Sequence, residues 1–292
     1  MVRRRLAAVL ALVLAVSGCA RVPTPAGVDK DLVDEWSMLD EAKVPGDCWT
    51  SSTSDVYVIM QRPGAMVQTP CDYSHFIETV HVGQFGGSKA QGKQAPAPDQ
   101  LAEESRICDA KLTEFLGAPW THGRLQLLVT TPSDIQWLGG ARFYRCDVAA
   151  LRTELGVLDP RKETLRGTLR AGGSMLLGCG IRVGPIEEWD DITPVACTAP
   201  HNAEFVGVAH STTGVYPADG KATGKAFAGP CWERIRAYTG SSERTLADVG
   251  YGYWPLAGED EWKAGNHDAR CYMMLEHKMI SRSLKDNGSA AI

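Results

Sequence analysis

The chain has 292 residues, with 30 Lys and Arg against 35 Asp and Glu and a formal net charge of −5. That balance disfavours phosphate-backbone binding, which needs clustered Lys and Arg, so nucleic acid is not an expected partner. Past the N-terminal leader, no segment is apolar for long enough to cross a bilayer, which takes ~20 residues.

Arg3-Arg4-Arg5 is a basic head, and Leu6 to Val16 is an unbroken run of Leu, Ala and Val. This run is too short to span a membrane, so residues 1–18 read as a signal peptide. Val16-Ser17-Gly18-Cys19 resembles a bacterial lipobox. That resemblance implies that Cys19 receives a diacylglyceryl group, with palmitate-type chains, and becomes the first mature residue. Two acyl chains suffice for stable anchoring. The expected location is extracytoplasmic, held by lipid to the outer face of the cytoplasmic membrane. Residues 19–43 are the lipidated cysteine and a tether, extended near Pro23, Pro25 and Gly27. Losing the three leader arginines takes the formal charge from −5 to −8.

The rest of the chain repeats itself at an offset of about 125 residues. Cys71-x3-His75-x2-Glu78 returns as Cys197-x3-His201-x2-Glu204. Cys108-x3-Leu112-x2-Phe115-x-Gly117 returns as Cys231-x3-Ile235-x2-Tyr238-x-Gly240, and Trp137-x2-Gly140-x5-Cys146 as Trp262-x2-Gly265-x5-Cys271. Solenoid units run to roughly 20–50 residues, so this is a duplicated domain: 44–170, then 171–285, with a tail over 286–292. At the close of each unit, Thr168-Leu169-Arg170 is taken to match Ser283-Leu284-Lys285.

In chain order, Val56 to Gln61 and Ala65 to Gln68 read as short strands, with Thr193 to Cys197 as the later counterpart. Glu78 to Val82 and Glu204 to Val208 alternate with period two and read as strands. Leu101 to Leu116 and Ala222 to Thr239 read as helices stopped by Gly117 and Gly240. Leu125 to Thr130 and Arg142 to Val148 are further strands, matched by Tyr251 to Trp254 and Ala269 to Leu275. The expected fold is α+β: two tandem repeats, each a small antiparallel sheet with one packed helix and two disulfides.

Setting Cys19 aside, eight of the nine cysteines remain, four per repeat. In an exported chain they read as disulfides. Three pairings are open within each repeat; Cys48–Cys71, Cys108–Cys146, Cys179–Cys197 and Cys231–Cys271 each close one local loop and are preferred. No Cys-x2-Cys or His-x3-His pair points to zinc.

Taken together, Gly46-Asp47-Cys48, Val195-x-Cys197-x2-Pro200-His201-x2-Glu204, the helical cysteines and Trp-x2-Gly-x5-Cys resemble the septum-formation domain of actinobacterial envelope proteins. The second repeat fits the pattern better; the first has Ser74 where the pattern has proline. The resemblance implies an envelope location and a link to septum formation, and it carries no known reaction.

The pairs His75/Glu78 and His201/Glu204 are the recurring polar features. Glu78 shares strand parity with Val80 and Val82, and Glu204 with Val206 and Val208. Each carboxylate is therefore expected to be buried and clamped by its histidine. Ligand contact is the second reading for these pairs. A metal site is disfavoured, since two ligands per repeat fall short of what zinc needs. Trp137 and Trp262 are expected to pack on disulfides rather than stack on carbohydrate. Trp49, Trp120, Trp232 and Trp254 do not repeat, and an exposed subset could form a binding face. The acidic run Glu187-Glu188 and Asp190-Asp191 around Trp189 reads as a solvated loop. No Gly-x-Ser-x-Gly, His-Glu-x2-His or Ser-x2-Lys motif occurs, so no catalytic residue and no cofactor are expected. The expected function is a non-catalytic binding or scaffolding lipoprotein of septum formation or cell-wall assembly, with envelope or division proteins as partners. The alternative is an envelope sensor or carrier using a cleft between the repeats.

Overall fold

The computed structural model describes residues 46–61, 66–154, 156–186, 188–241, 246 and 248–288. The leader, Cys19 and the tether lie outside the described residues.

The first unit opens with strand β1 (Cys48–Ser51), helix α1 (Val56–Gln61), β2 (Met66–Thr69) and β3 (Ile77–Gln84). Helix α2 (Gly87–Ala90) precedes the main helix α3 (Ala102–Leu116), followed by β4 (Leu125–Thr130), helix α4 (Asp134–Leu138) and β5 (Phe143–Ala150). The second unit runs β6 (Cys179–Val183), β7 (Asp191–Val195), β8 (Ala203–His210), α5 (Gly220–Thr239), β9 (Val249–Pro255), α6 (Glu259–Lys263) and β10 (Asp268–Leu275). The two five-stranded antiparallel sheets have orders β2-β1-β3-β5-β4 and β7-β6-β8-β10-β9. Element for element this is one topology written twice, as the sequence repeat requires.

The main helices end where glycine adopts positive φ, at Gly117 (φ 91°) and Gly240 (φ 66°). A side chain at either position would meet the left-handed penalty. Each helix is tied to an interior strand of its sheet, β5 or β10, by a buried disulfide, Cys108–Cys146 and Cys231–Cys271. Cys48–Cys71 and Cys179–Cys197 join the first strand to the loop before the histidine. Four disulfides place the folded units in an oxidising compartment. Among the described residues, no helix is long and apolar enough to cross a membrane.

Val56–Gln61 is a helix, not the expected strand. Asp55 Oδ1 accepts the Tyr57 N–H at 2.8 Å at its start. Val56 and Ile59, three apart, are buried against Ile77, Leu128, Ala149 and Leu158 on the far face of the sheet. This burial overrides the β preference of Val-Tyr-Val-Ile. Among the described residues, no such helix lies between β6 and β7 of the second unit.

The parity argument for the valines also fails part-way. β3 carries a bulge between Thr79 and His81, and β8 leaves Val206 unpaired opposite Cys271/Tyr272. Val80 and Val206 are buried, but the shift leaves Val82 and Val208 half-exposed.

The two units share a polar seam. Arg270, in β10, is 1% exposed. Its guanidinium donates to the carbonyls of Thr121, Gly123 and Leu125 and to Glu154 Oε2 at 2.7–3.0 Å. Leu256 and Trp254 of the second unit join the first unit's core, and the His122 and Phe205 rings meet edge to face at 5.7 Å.

Candidate functional site

Each His-x2-Glu pair sits at the entry to a central strand, and its carboxylate is buried, 4% exposed at Glu78 and 1% at Glu204. Glu78 Oε1 accepts the Leu165 N–H at 2.7 Å and Oε2 the Thr164 hydroxyl at 2.8 Å. Glu204 Oε1 accepts the Leu284 N–H at 2.8 Å, and Oε2 accepts the Ser283 and Tyr238 hydroxyls at 2.7 and 2.8 Å. Burial, together with the Glu204 charge, pushes the Tyr238 phenol far above its usual range, despite the opposing bond from Ser283.

The histidines lie beside these carboxylates: His201 Nε2 is 3.2 Å from Glu204 Oε1, and His75 Nε2 is 3.5 Å from Glu78 Oε1. Each Nδ1 faces a backbone carbonyl, Tyr73 O or Ala199 O. The His75 and His201 backbones pair with Arg161 and Ile280. Each pair therefore fastens the strap that closes its own unit. The strap residues in equivalent places are Thr164-Leu165-Arg166 and Ser283-Leu284-Lys285. The expected match with Thr168-Leu169-Arg170 is out by four residues, because Thr-Leu-Arg occurs twice within seven positions.

These bonds commit each carboxylate to the strap of its own unit. Cys179, His201 and Glu204 bring metal-type donor atoms within 4.8 Å of one another. Cys179 is spent in its disulfide with Cys197, and a metal ligand must be a thiolate. His201 and Glu204 are already committed to the strap.

Trp137 and Trp262 are each 1% exposed and lie in the same cores as the helix-to-sheet disulfides. Trp137 donates to Gly92 O at 2.8 Å, and Trp262 stacks on His267 at 4.3 Å. Neither face is open to a sugar. Of the non-repeating tryptophans, Trp120 is buried, while Trp49, Trp232 and Trp254 are half-buried. Trp189 also lies against Trp254 and Tyr272, with ring centres 5.3 and 5.9 Å away. Asp191, expected in a solvated loop, is instead buried at the head of β7.

A cavity of about 430 Å³ opens where the first unit meets the second. Edge strand β4 runs along it; α3 contributes Arg106 and Asp109, the N-cap residue before it Leu101, and α1 contributes Ile59 and Met60. The α6–β10 turn of the second unit supplies Glu261, Asn266 and Asp268. Enclosure pushes the Asp109 carboxyl above its usual range; the Trp120 indole N–H at 2.9 Å opposes this, and nearby Asp268 adds to it. Asp268 in turn meets His210 at 2.8 Å. Sequence reasoning anticipated a cleft between the units but did not single out Asp109, Asp268, Glu154 or Arg270.

A family model described as septum formation matches residues 45–271, a stretch that takes in all four disulfides and every strand up to the middle of β10. The chain belongs to the septum-formation family. No curated protein and no solved structure matches it. In this chain both repeated Glu side chains hydrogen-bond the strap of their own unit, and the cavity is lined mostly by residues other than the repeated motif letters, Gly265 being an exception.

Proposed function

We propose that the protein is a non-catalytic, lipid-anchored envelope module that binds or scaffolds other envelope or division proteins during septum formation or cell-wall assembly. The observation that carries this reading is family membership extending across both units. The leader, the lipobox at Cys19 and the disulfides support anchoring at the outer face of the cytoplasmic membrane. The internal engagement of both His–Glu pairs favours binding over chemistry.

Localisation of a fluorescently tagged, lipobox-intact copy in dividing cells tests the reading. Enrichment at the division site is expected; an even membrane coat through division would remove the septal role. A Cys19→Ala variant is expected to leave the membrane fraction. A second reading, a ligand-binding sensor or carrier, is favoured by the cavity of about 430 Å³ lined from both units.

A further inference from the structure

Strand β4 is the edge of the first sheet and lies along the inter-unit cavity. In an antiparallel ladder the backbone groups of successive residues point alternately toward and away from the partner strand. Arg124 O faces β5, accepting from the Leu151 N–H, whereas Gly123 O and Leu125 O face outward and are taken by Arg270. That phase turns the N–H and C=O of Leu127 and Val129 away from β5, toward the cavity, where Leu127 O accepts only the long bond from the Gln126 side-chain amide, at 3.3 Å, which an incoming strand would displace.

Protein edges are ordinarily blunted by proline or charge. The second sheet's edges, β7 and β9, carry Pro194 and Pro255; β4 (Leu-Gln-Leu-Leu-Val-Thr) has neither. Side chains flank this edge on both faces, with Leu101 on one and Ile59 and Met66 on the other. That matches the side-chain alternation of an added strand. Asp109 and Asp268 face the same space from opposite units.

We propose that the cavity receives an extended peptide segment of a partner protein, which pairs with the outward groups of Leu127 and Val129. A Lys or Arg of that segment is held by Asp109 and Asp268. The inference rests on the binding-module reading above and names the partner's chemistry.

The test uses the full-length protein in detergent with capped hexapeptides that alternate Val and Thr around a central Lys. Matched peptides carry central Glu, or are N-methylated on the strand-facing amides. The Lys peptide is expected to bind at least about tenfold more tightly than the Glu peptide. It is expected to slow amide exchange across Leu125–Thr130 and to lose affinity on N-methylation. Asp109→Asn keeps an oxygen for the Trp120 indole and is expected to erase most of the Lys-over-Glu preference.

Absence of saturable binding, equal binding of Lys and Glu peptides, or retained binding after N-methylation would overturn the proposal. So would displacement of the Lys peptide by hexylamine with no amide protection in β4, which would assign the cavity to a small amphipathic cation. Septal localisation reads the broader function independently, so the two can fail separately.

Discussion

At the scale of single residues, Glu78 and Glu204 look identical in sequence yet carry different loads. Both fasten a strap, but Glu204 also holds the Tyr238 hydroxyl, while the first unit has Phe115 at that place. Removing one member of a buried charged cluster strands its partners and costs about 3–5 kcal/mol. Glu204→Ala is therefore expected to destabilise by at least about 3 kcal/mol, and by more than Glu78→Ala. Tyr238→Phe, which restores the first unit's arrangement, is expected to cost less, about 1.5–3 kcal/mol for one bond to a charged group. Urea unfolding with disulfides intact measures all three; equal losses for the two glutamates would refute this ranking. The buried glutamates were legible because His-x2-Glu recurs at one spacing, although only His201 hydrogen-bonds its carboxylate and His75 Nε2 has no hydrogen-bond partner. Their strap partners were not, because Glu78 reaches 87 residues ahead and two Thr-Leu-Arg copies compete for the match.

At the scale of elements, cysteine spacing and period-two alternation were enough to read eight of the ten strands, the two long helices and all four local disulfide loops; β1 and β6, which carry Cys48 and Cys179, were not read as strands. The ends of the eight fell within a few residues of the observed strands. What alternation could not show was the bulge at Val80 and Val206, because a bulge depends on the partner strand. Helix α1 was misread because a six-residue run that opens with four β-branched or aromatic residues satisfies both periods until the surface it buries against is known. The disulfides differ in consequence. Cys231–Cys271 closes 40 residues with both sulfurs fully buried, while Cys179–Cys197 closes 18. Chain entropy alone gives about 4 and about 3 kcal/mol, and the buried pair adds a packing loss. Replacing Cys231 and Cys271 by Ala is thus expected to lower the urea midpoint more than replacing Cys179 and Cys197. The reverse order would mean that the loop before His201 contributes more than the helix staple.

For the whole molecule, the instructive comparison is between residues at the same repeat position doing opposite jobs. Arg145 and Arg270 both precede the last cysteine of their unit. Arg145 stays within its own unit, bound to Asp147 at 3.0 Å and lying over the Trp49 ring at 3.8 Å. Asp147 in turn accepts from Thr79 and Thr130. In the second unit the positions of Thr79, Thr130 and Asp147 are Phe205, Trp254 and Tyr272, an aromatic cluster that offers Arg270 no carboxylate. Arg270 instead crosses to Glu154 and three carbonyls of the first unit. Duplication announced two units; their cementing was illegible because it lies in how the copies diverge. Arg270→Ala is expected to leave Glu154 buried without its cation and to cost about 3–5 kcal/mol. Because the loss falls on the seam, each sheet keeps its own core and disulfides, and a single calorimetric transition is expected to become two. Arg145→Ala, also buried but internal, should lower the first unit's stability without separating the transitions. If Arg270→Ala still unfolds in one step, the units are coupled chiefly by the apolar contacts of Leu256 and Trp254.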